Sequence, residues 1–133
     1  MVNIIEEYGR NAGKIWQTLC SHGPLTEKKL MNATKLKTHE FYAAIGWLAR
    51  ENKICKINTM YQLGETNLTE QIGQNAGKIF TVLETLKEID VTVIQNLTRM
   101  KTVDAYSALG WLARENKIEV TMPFPKEYQI KFK

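Results

Sequence analysis

GWLARENKI stands at residues 46–54 and again at residues 110–118, nine identical residues displaced by 64. NAGKI repeats with the same displacement, at 11–15 and 75–79. Residues 9–54 therefore slide onto 73–118 without a gap, and 22 of the 46 positions are identical. A fixed period of this kind marks one supersecondary unit used twice, so the unit is what must be read. The chain divides into residues 1–64 and 65–133. Units this small bury little core alone, which predicts that the two pack on each other as an intramolecular pseudo-dimer. The linker Gly64-Glu65-Thr66-Asn67 is too short to let them tumble freely.

Within the first unit, residues 4–20 carry Tyr8, Ala12, Ile15, Trp16 and Leu19 at three- and four-residue steps. That spacing makes one apolar helix face, with Asn3 as cap and His22-Gly23-Pro24 as stop. Leu25 is a short extended link. Thr26 and, in the second unit, Asp90 are good N-cap types for a second helix ending near Ala33, with Leu30 and Ile94 pointing inward. The turn Thr34-Lys35-Leu36-Lys37 leads to a third helix, capped by Thr38 and running to Lys53. Phe41, Ala44, Ile45 and Leu48 form its apolar stripe, matched by Ala105, Ala108, Leu109 and Leu112. Residues 54–57 and 60–63 read as strands around an Asn58-Thr59 turn. The arms of the second hairpin are 118–122 and 128–133. Setting Tyr61-Gln62-Leu63 on Tyr128-Gln129-Ile130 gives a shift of 67, so the second loop is three residues longer and contains Pro123-Phe124-Pro125.

Helix, helix, turn, helix, hairpin is the order of a winged helix-turn-helix: mainly α with short β-hairpins (α+β), here in tandem. NAGKIW followed by GWLARENKI resembles the small prokaryotic winged helix-turn-helix family catalogued as a domain of unknown function, and both units match it. The resemblance covers nearly the whole chain. It implies the fold and, by analogy, double-stranded DNA as a partner, and it supplies no activity.

Composition excludes several classes. Hydrophobic content of 44% and charged content of 24% describe a soluble globular protein. No apolar run approaches the roughly 18 residues that would span a bilayer, so no membrane association is expected. The opening MVNIIEEYGR carries acids where a signal peptide is basic, which points to the cytoplasm. Cys20 and Cys55 face Glu84 and Glu119 in the second unit and read as incidental reduced thiols. Cys20, His22, His39 and Cys55 lack the paired short spacings of a zinc site, so no metal is expected. GRNAGKI and GQNAGKI fail as phosphate loops: the spacing is one residue short, no Ser or Thr follows Lys14 or Lys78, and no strand precedes. With no nucleophile elbow or metal-ligand pair either, the chain reads as a non-enzyme without cofactor. Glu51 and Glu115, beside Arg50 and Arg114, read as surface or inter-unit ion pairs.

The net charge of +4 lies wholly in the first unit, which has nine Lys/Arg against five acids; the second has nine of each. Lys28, Lys29, Lys35, Lys37 and His39 cluster on the first helix-turn-helix. Such a motif sets its second helix in the major groove while neighbouring cations contact phosphates. Lys35 and Lys37 are then backbone contacts, and Thr38, His39 and Tyr42 base contacts. Arg99 and Lys101 are the weaker equivalents, opposed by Asp90 and Asp104. Gly9 and Gly13, with Gly73 and Gly77, predict a close crossing of the two first helices, since each glycine costs a helix about 1 kcal/mol against alanine. Asn58 and Thr59 form one wing tip. Pro123, Phe124 and Pro125 form the other, a stiff projection with Phe124 as an interaction element. Trp47 and Trp111 read as closing the core against the hairpin or the other unit. The alternative to a DNA-binding module is a protein-interaction module that keeps the winged fold, favoured by the neutral second unit.

Overall fold

The computed structural model describes residues 3–121 and 128–133. The first unit contains α1 (Ile4–His22), β1 (Leu25–Thr26), α2 (Glu27–Thr34), α3 (Thr38–Arg50), β2 (Ile54–Ile57) and β3 (Met60–Leu63). The second repeats them as α4 (Thr69–Leu86), β4 (Glu88–Asp90), α5 (Val91–Thr98), α6 (Thr102–Arg114), β5 (Ile118–Thr121) and β6 (Gln129–Phe132). Each unit closes with an antiparallel sheet, ordered β1-β3-β2 and β4-β6-β5. The expected extended link at Leu25 is thus a third strand, paired with Tyr61. The fold is a winged helix-turn-helix in two copies.

Local chemistry explains the boundaries. Asn3 caps α1 by accepting from the Ile5 N–H at 3.1 Å, and Thr26 caps α2 by accepting from Lys29 at 3.3 Å. The cap of α3 is Lys37, not Thr38: Thr38 is the first helical residue, and the Glu40 carboxylate accepts from the Lys37 N–H at 2.9 Å. The helix stops at Arg50, earlier than the expected Lys53, because Asn52 turns left-handed at φ 59°. The Lys53 N–H then reaches back to the Leu48 carbonyl at 3.0 Å, a Schellman-type closure repeated between Lys117 and Leu112 at 3.1 Å. Asparagine tolerates that conformation better than most residues, which gives the Asn of GWLARENKI its purpose.

The hairpin register corrects the sequence alignment. Ile54 pairs with Leu63 and Ile118 with Phe132, so the returning strands are displaced by 69 residues, not 67. The counterpart of Tyr61 is therefore Ile130, and the second connection is five residues longer than the first. Tyr128 precedes the paired segment and has no counterpart in the first sheet.

The units do pack on each other, but through α3 and α6. An added Cβ on Gly46 would overlap the carbonyl oxygen of Ser107, and one on Gly110 that of Ala43. The two backbones meet there with no side chain between them, in reversed order along the two helices, as around a local two-fold axis. The expected crossing of the first helices is wrong. Gly9 and Gly73 receive the rings of Trp47 and Trp111 from their own units, and Gly13 and Gly77 face open space. Close approach is satisfied by the glycines inside the repeated nonapeptide instead.

The same nonapeptide supplies the rest of the seam. Arg50 Nε lies 3.0 Å from Glu115 and Arg114 Nε 3.0 Å from Glu51, so the anticipated inter-unit ion pairs are present and reciprocal. Each guanidinium also sits over the opposite tryptophan, Arg114 at 5.9 Å from Trp47 and Arg50 at 5.8 Å from Trp111. The cores interlock. Ile4, Tyr8 and Ala43 are buried in the second unit's cluster, and Ile72 in the first's. Burying a large apolar side chain contributes about 1.5–3 kcal/mol, so each unit lends the other a substantial part of its stability. The sheet edges are covered reciprocally as well. Asn67 accepts from the Lys56 N–H at 2.9 Å and donates to its carbonyl at 2.7 Å, while Asn3 bridges to Thr121.

Candidate nucleic-acid interface

The helix-turn-helix of the first unit places its cations outward. Leu30 is fully buried and Leu36 nearly so, anchoring α2 and the turn. Lys28, Lys29, Lys35 and Lys37, between and beyond those anchors, are all exposed. Lys35 closes α2 in the left-handed conformation at φ 58°. No carboxylate forms an ion pair with any of the four among the described residues. Thr38 is exposed at the start of α3.

Two of the expected base contacts are placed otherwise. Tyr42 is only 8% exposed and sits in the wall between units. Burial and the neighbouring Glu27 carboxylate push its hydroxyl pKa upward. His39 turns toward the second unit, with Nε2 2.9 Å from the Tyr128 hydroxyl and its ring 5.4 Å from that of Tyr106. Burial holds its pKa below the ordinary imidazole value, against a raising influence from Glu40. From Phe41 to Ala49, α3 is covered by its own core or by α6, and only Arg50 at its far end is exposed again. A major-groove reader needs one helix face free, and α3 offers only its first turn.

In the second unit Arg99 repeats the left-handed turn at φ 58°, and Lys101 is exposed. The edge of α5 differs in kind. Val93 and Leu97, 36% and 56% exposed, stand where the first unit has Lys29 and Ala33. One unit presents cations there, the other an apolar step.

Asn58 and Thr59 are exposed at the first wing tip, flanked by exposed Ile57 and Met60. Pro123, Phe124 and Pro125 lie outside the described residues. Cys20 is exposed, Cys55 is buried, and both are free thiols. Among the described residues no group of His, Cys, Asp and Glu is arranged to hold a metal, and no helix is long and apolar enough to cross a membrane.

Sequence reasoning missed the mutual covering of α3 and α6. The available signal was a glycine inside each third helix with a small residue one turn earlier, Ala43 before Gly46 and Ser107 before Gly110.

Comparison with known proteins agrees with this architecture. The family model described as Winged helix-turn-helix domain (DUF2582) matches twice, over residues 4–63 and 68–130, and the chain belongs to that family. No curated protein and no solved structure matched it.

Proposed function

We propose that this tandem winged-helix chain is a non-enzymatic, cytoplasmic module that holds duplex DNA by its backbone, with the first unit as the contacting side. The observation that carries this reading is the set Lys28, Lys29, Lys35 and Lys37, exposed and without an ion pair among the described residues, around a helix-turn-helix whose base-reading face is covered. Cations without acidic partners favour phosphate contacts, whereas sequence readout needs side chains free to enter a groove. A role in transcription regulation, if the module has one, then draws its sequence specificity from elsewhere. The test is fluorescence anisotropy with random duplexes over a range of salt. Binding that weakens steeply with salt and ranks duplexes of different sequence equally supports the reading; no binding at about 50 mM salt overturns it.

A second reading is favoured by α5. Its exposed Val93 and Leu97 fit a protein partner better than a phosphate chain. If no duplex binds, a protein-interaction module with this edge as its contact becomes the better account.

A further inference from the structure

The hairpin of the first unit ends in an apolar pair. Ile57 and Met60 face each other on either side of the Asn58-Thr59 turn, as the last cross-strand pair of β2 and β3. Residues so paired stand on one face of a sheet. Lys56 and Tyr61, the next pair, stand on the other face, where Tyr61 joins the first unit's core. Ile57 and Met60 therefore point away from that core, 50% and 37% exposed. The sheet does not require them. In the second unit the same two places are taken by Thr121 and Gln129, paired in the same register.

The apolar pair lies beside the cations. Thr26 is the other strand neighbour of Met60, and the same threonine caps α2. Lys28 and Lys29 follow in the first turn of that helix, and Lys35 and Lys37 lie past its far end, about 12 Å along at 1.5 Å per residue. Glu27, which separates Thr26 from Lys28 in the chain, turns toward the Tyr42 hydroxyl. The coincidence is one-sided. The unit that holds the whole net charge also holds the apolar wing pair, and the neutral unit is polar there.

That combination suits one occupant, the minor groove of a duplex. Its walls are phosphate, which exposed ammonium groups neutralise, and isoleucine and methionine are residue types that part stacked base pairs from that side. The tip is narrow enough to enter, since paired strands lie about 4.8 Å apart and the groove is about 6 Å wide. Resting on the DNA reading above, we propose that the first wing drives Ile57 and Met60 between two base pairs from the minor-groove side and kinks the duplex. The preferred substrate is then a duplex already kinked or weakly stacked at the contact, selected by its deformability and not by its base edges.

The test is energy transfer between fluorophores at the two ends of a duplex of about 30 base pairs, bound by the full chain. It is run beside the same duplex carrying two unpaired adenines at its centre. Binding should raise the transfer in the fully paired duplex, as a bend of about 20–90° brings its ends together, and the bulged duplex should bind about tenfold more tightly. Ile57→Thr with Met60→Gln installs the residues of the second sheet at these places. This double variant should lose both effects and keep the salt slope on the paired duplex, because the lysines are untouched. Equal binding of the two duplexes with unchanged transfer would overturn the wedge and leave the backbone reading standing. A double variant that bends the duplex as the original chain does would overturn it too. Failure of either duplex to bind at about 50 mM salt overturns both readings. Should the double variant not fold, the original chain is added to the paired duplex with 2-aminopurine in place of its adenines. Fluorescence that rises on binding, as a base step unstacks, supports the wedge, and unchanged fluorescence overturns it.

Discussion

Gly46 lies directly against the backbone carbonyl of Ser107, and its duplicate Gly110 lies in the same way against Ala43. Backbone cannot yield as a flexible side chain does, so even one methyl group at Gly46 must force α3 away from α6. Gly46→Ala should destabilise the chain by on the order of 3 kcal/mol, although alanine is the better helix former. Urea denaturation followed by tryptophan fluorescence checks this. A neutral or stabilising outcome would show that the two helices do not meet here.

Gly13 and Gly77 should respond in the opposite sense. Both lie within helices, at α1 and α4, with nothing near an added Cβ. Gly13→Ala and Gly77→Ala should each stabilise by about 0.5–1 kcal/mol, from helix propensity and a less flexible unfolded chain. Equilibrium denaturation of the two single variants, compared with Gly46→Ala, measures the contrast.

That contrast marks where the sequence could be read and where it could not. The caps of α1 and α2, the apolar stripes and the first hairpin were legible because each is written within a few residues: Asn3, Thr26, the Phe41 to Leu48 stripe, and Asn58-Thr59 in its turn. The ion pairing of Arg50 and Arg114 was legible from charge alone. Which glycines meet across the units was not, because Gly9 and Gly46 look alike on a helix until the partner surface is known. The second hairpin misled for a related reason. Tyr61 and Tyr128 are the same residue type, but register is set by the strand each one faces, and Ile118 pairs with Phe132. At the candidate site the lysines were legible as exposed cations. His39 and Tyr42 were not legible as residues of the seam, since only tertiary packing buries them.

The Arg50–Glu115 pair should be coupled weakly, since the arginine side chain remains 45% exposed while the glutamate is 17% exposed. A double-mutant cycle with Arg50→Ala and Glu115→Ala should give a coupling of about 0.5 kcal/mol, smaller in high salt. Each single change costs somewhat more than that coupling, because Arg50 also covers the Trp111 ring. A coupling indistinguishable from zero at low salt would remove this pair from the seam's energetics.

His39 should make the junction sensitive to acid. Its pKa is lowered in the folded chain, chiefly by burial, so the unfolded chain binds the proton more readily. Stability is then fully present above the unfolded value of about 6.5 and is lost as the pH falls through it toward the folded value. Glu40 and Glu7 pull the other way and Lys37 adds to the lowering, so the effect is a modest one. His39→Gln keeps a hydrogen-bonding group near Tyr128 and does not titrate. Between about pH 7.5 and about pH 5.5 the original chain should lose more stability than this variant. Equal slopes would show that His39 titrates alike in both states.

If the chain holds DNA, the first unit should dominate, and the salt slope measures by how much. Each phosphate neutralised releases condensed counterion, so the logarithm of affinity falls against the logarithm of salt by nearly one unit per contact. The variants must spare the fold. Lys35 sits at φ 58°, where alanine is strained, so Lys35→Asn is the suitable change, and Lys37→Ser restores a good cap at the start of α3. Together they should weaken binding to every duplex alike and flatten the slope by about two units. Arg99→Asn with Lys101→Ser makes the matching change in the second unit, whose charge is zero against +4 for the first. That pair should cost less affinity and less slope, because Asp90 and Asp104 already oppose the phosphates there. Equal losses from the two pairs would point to a symmetric reader with both units on the duplex. A preference among sequences that disappears with Thr38→Ala would show that the exposed first turn of α3 reaches the bases after all.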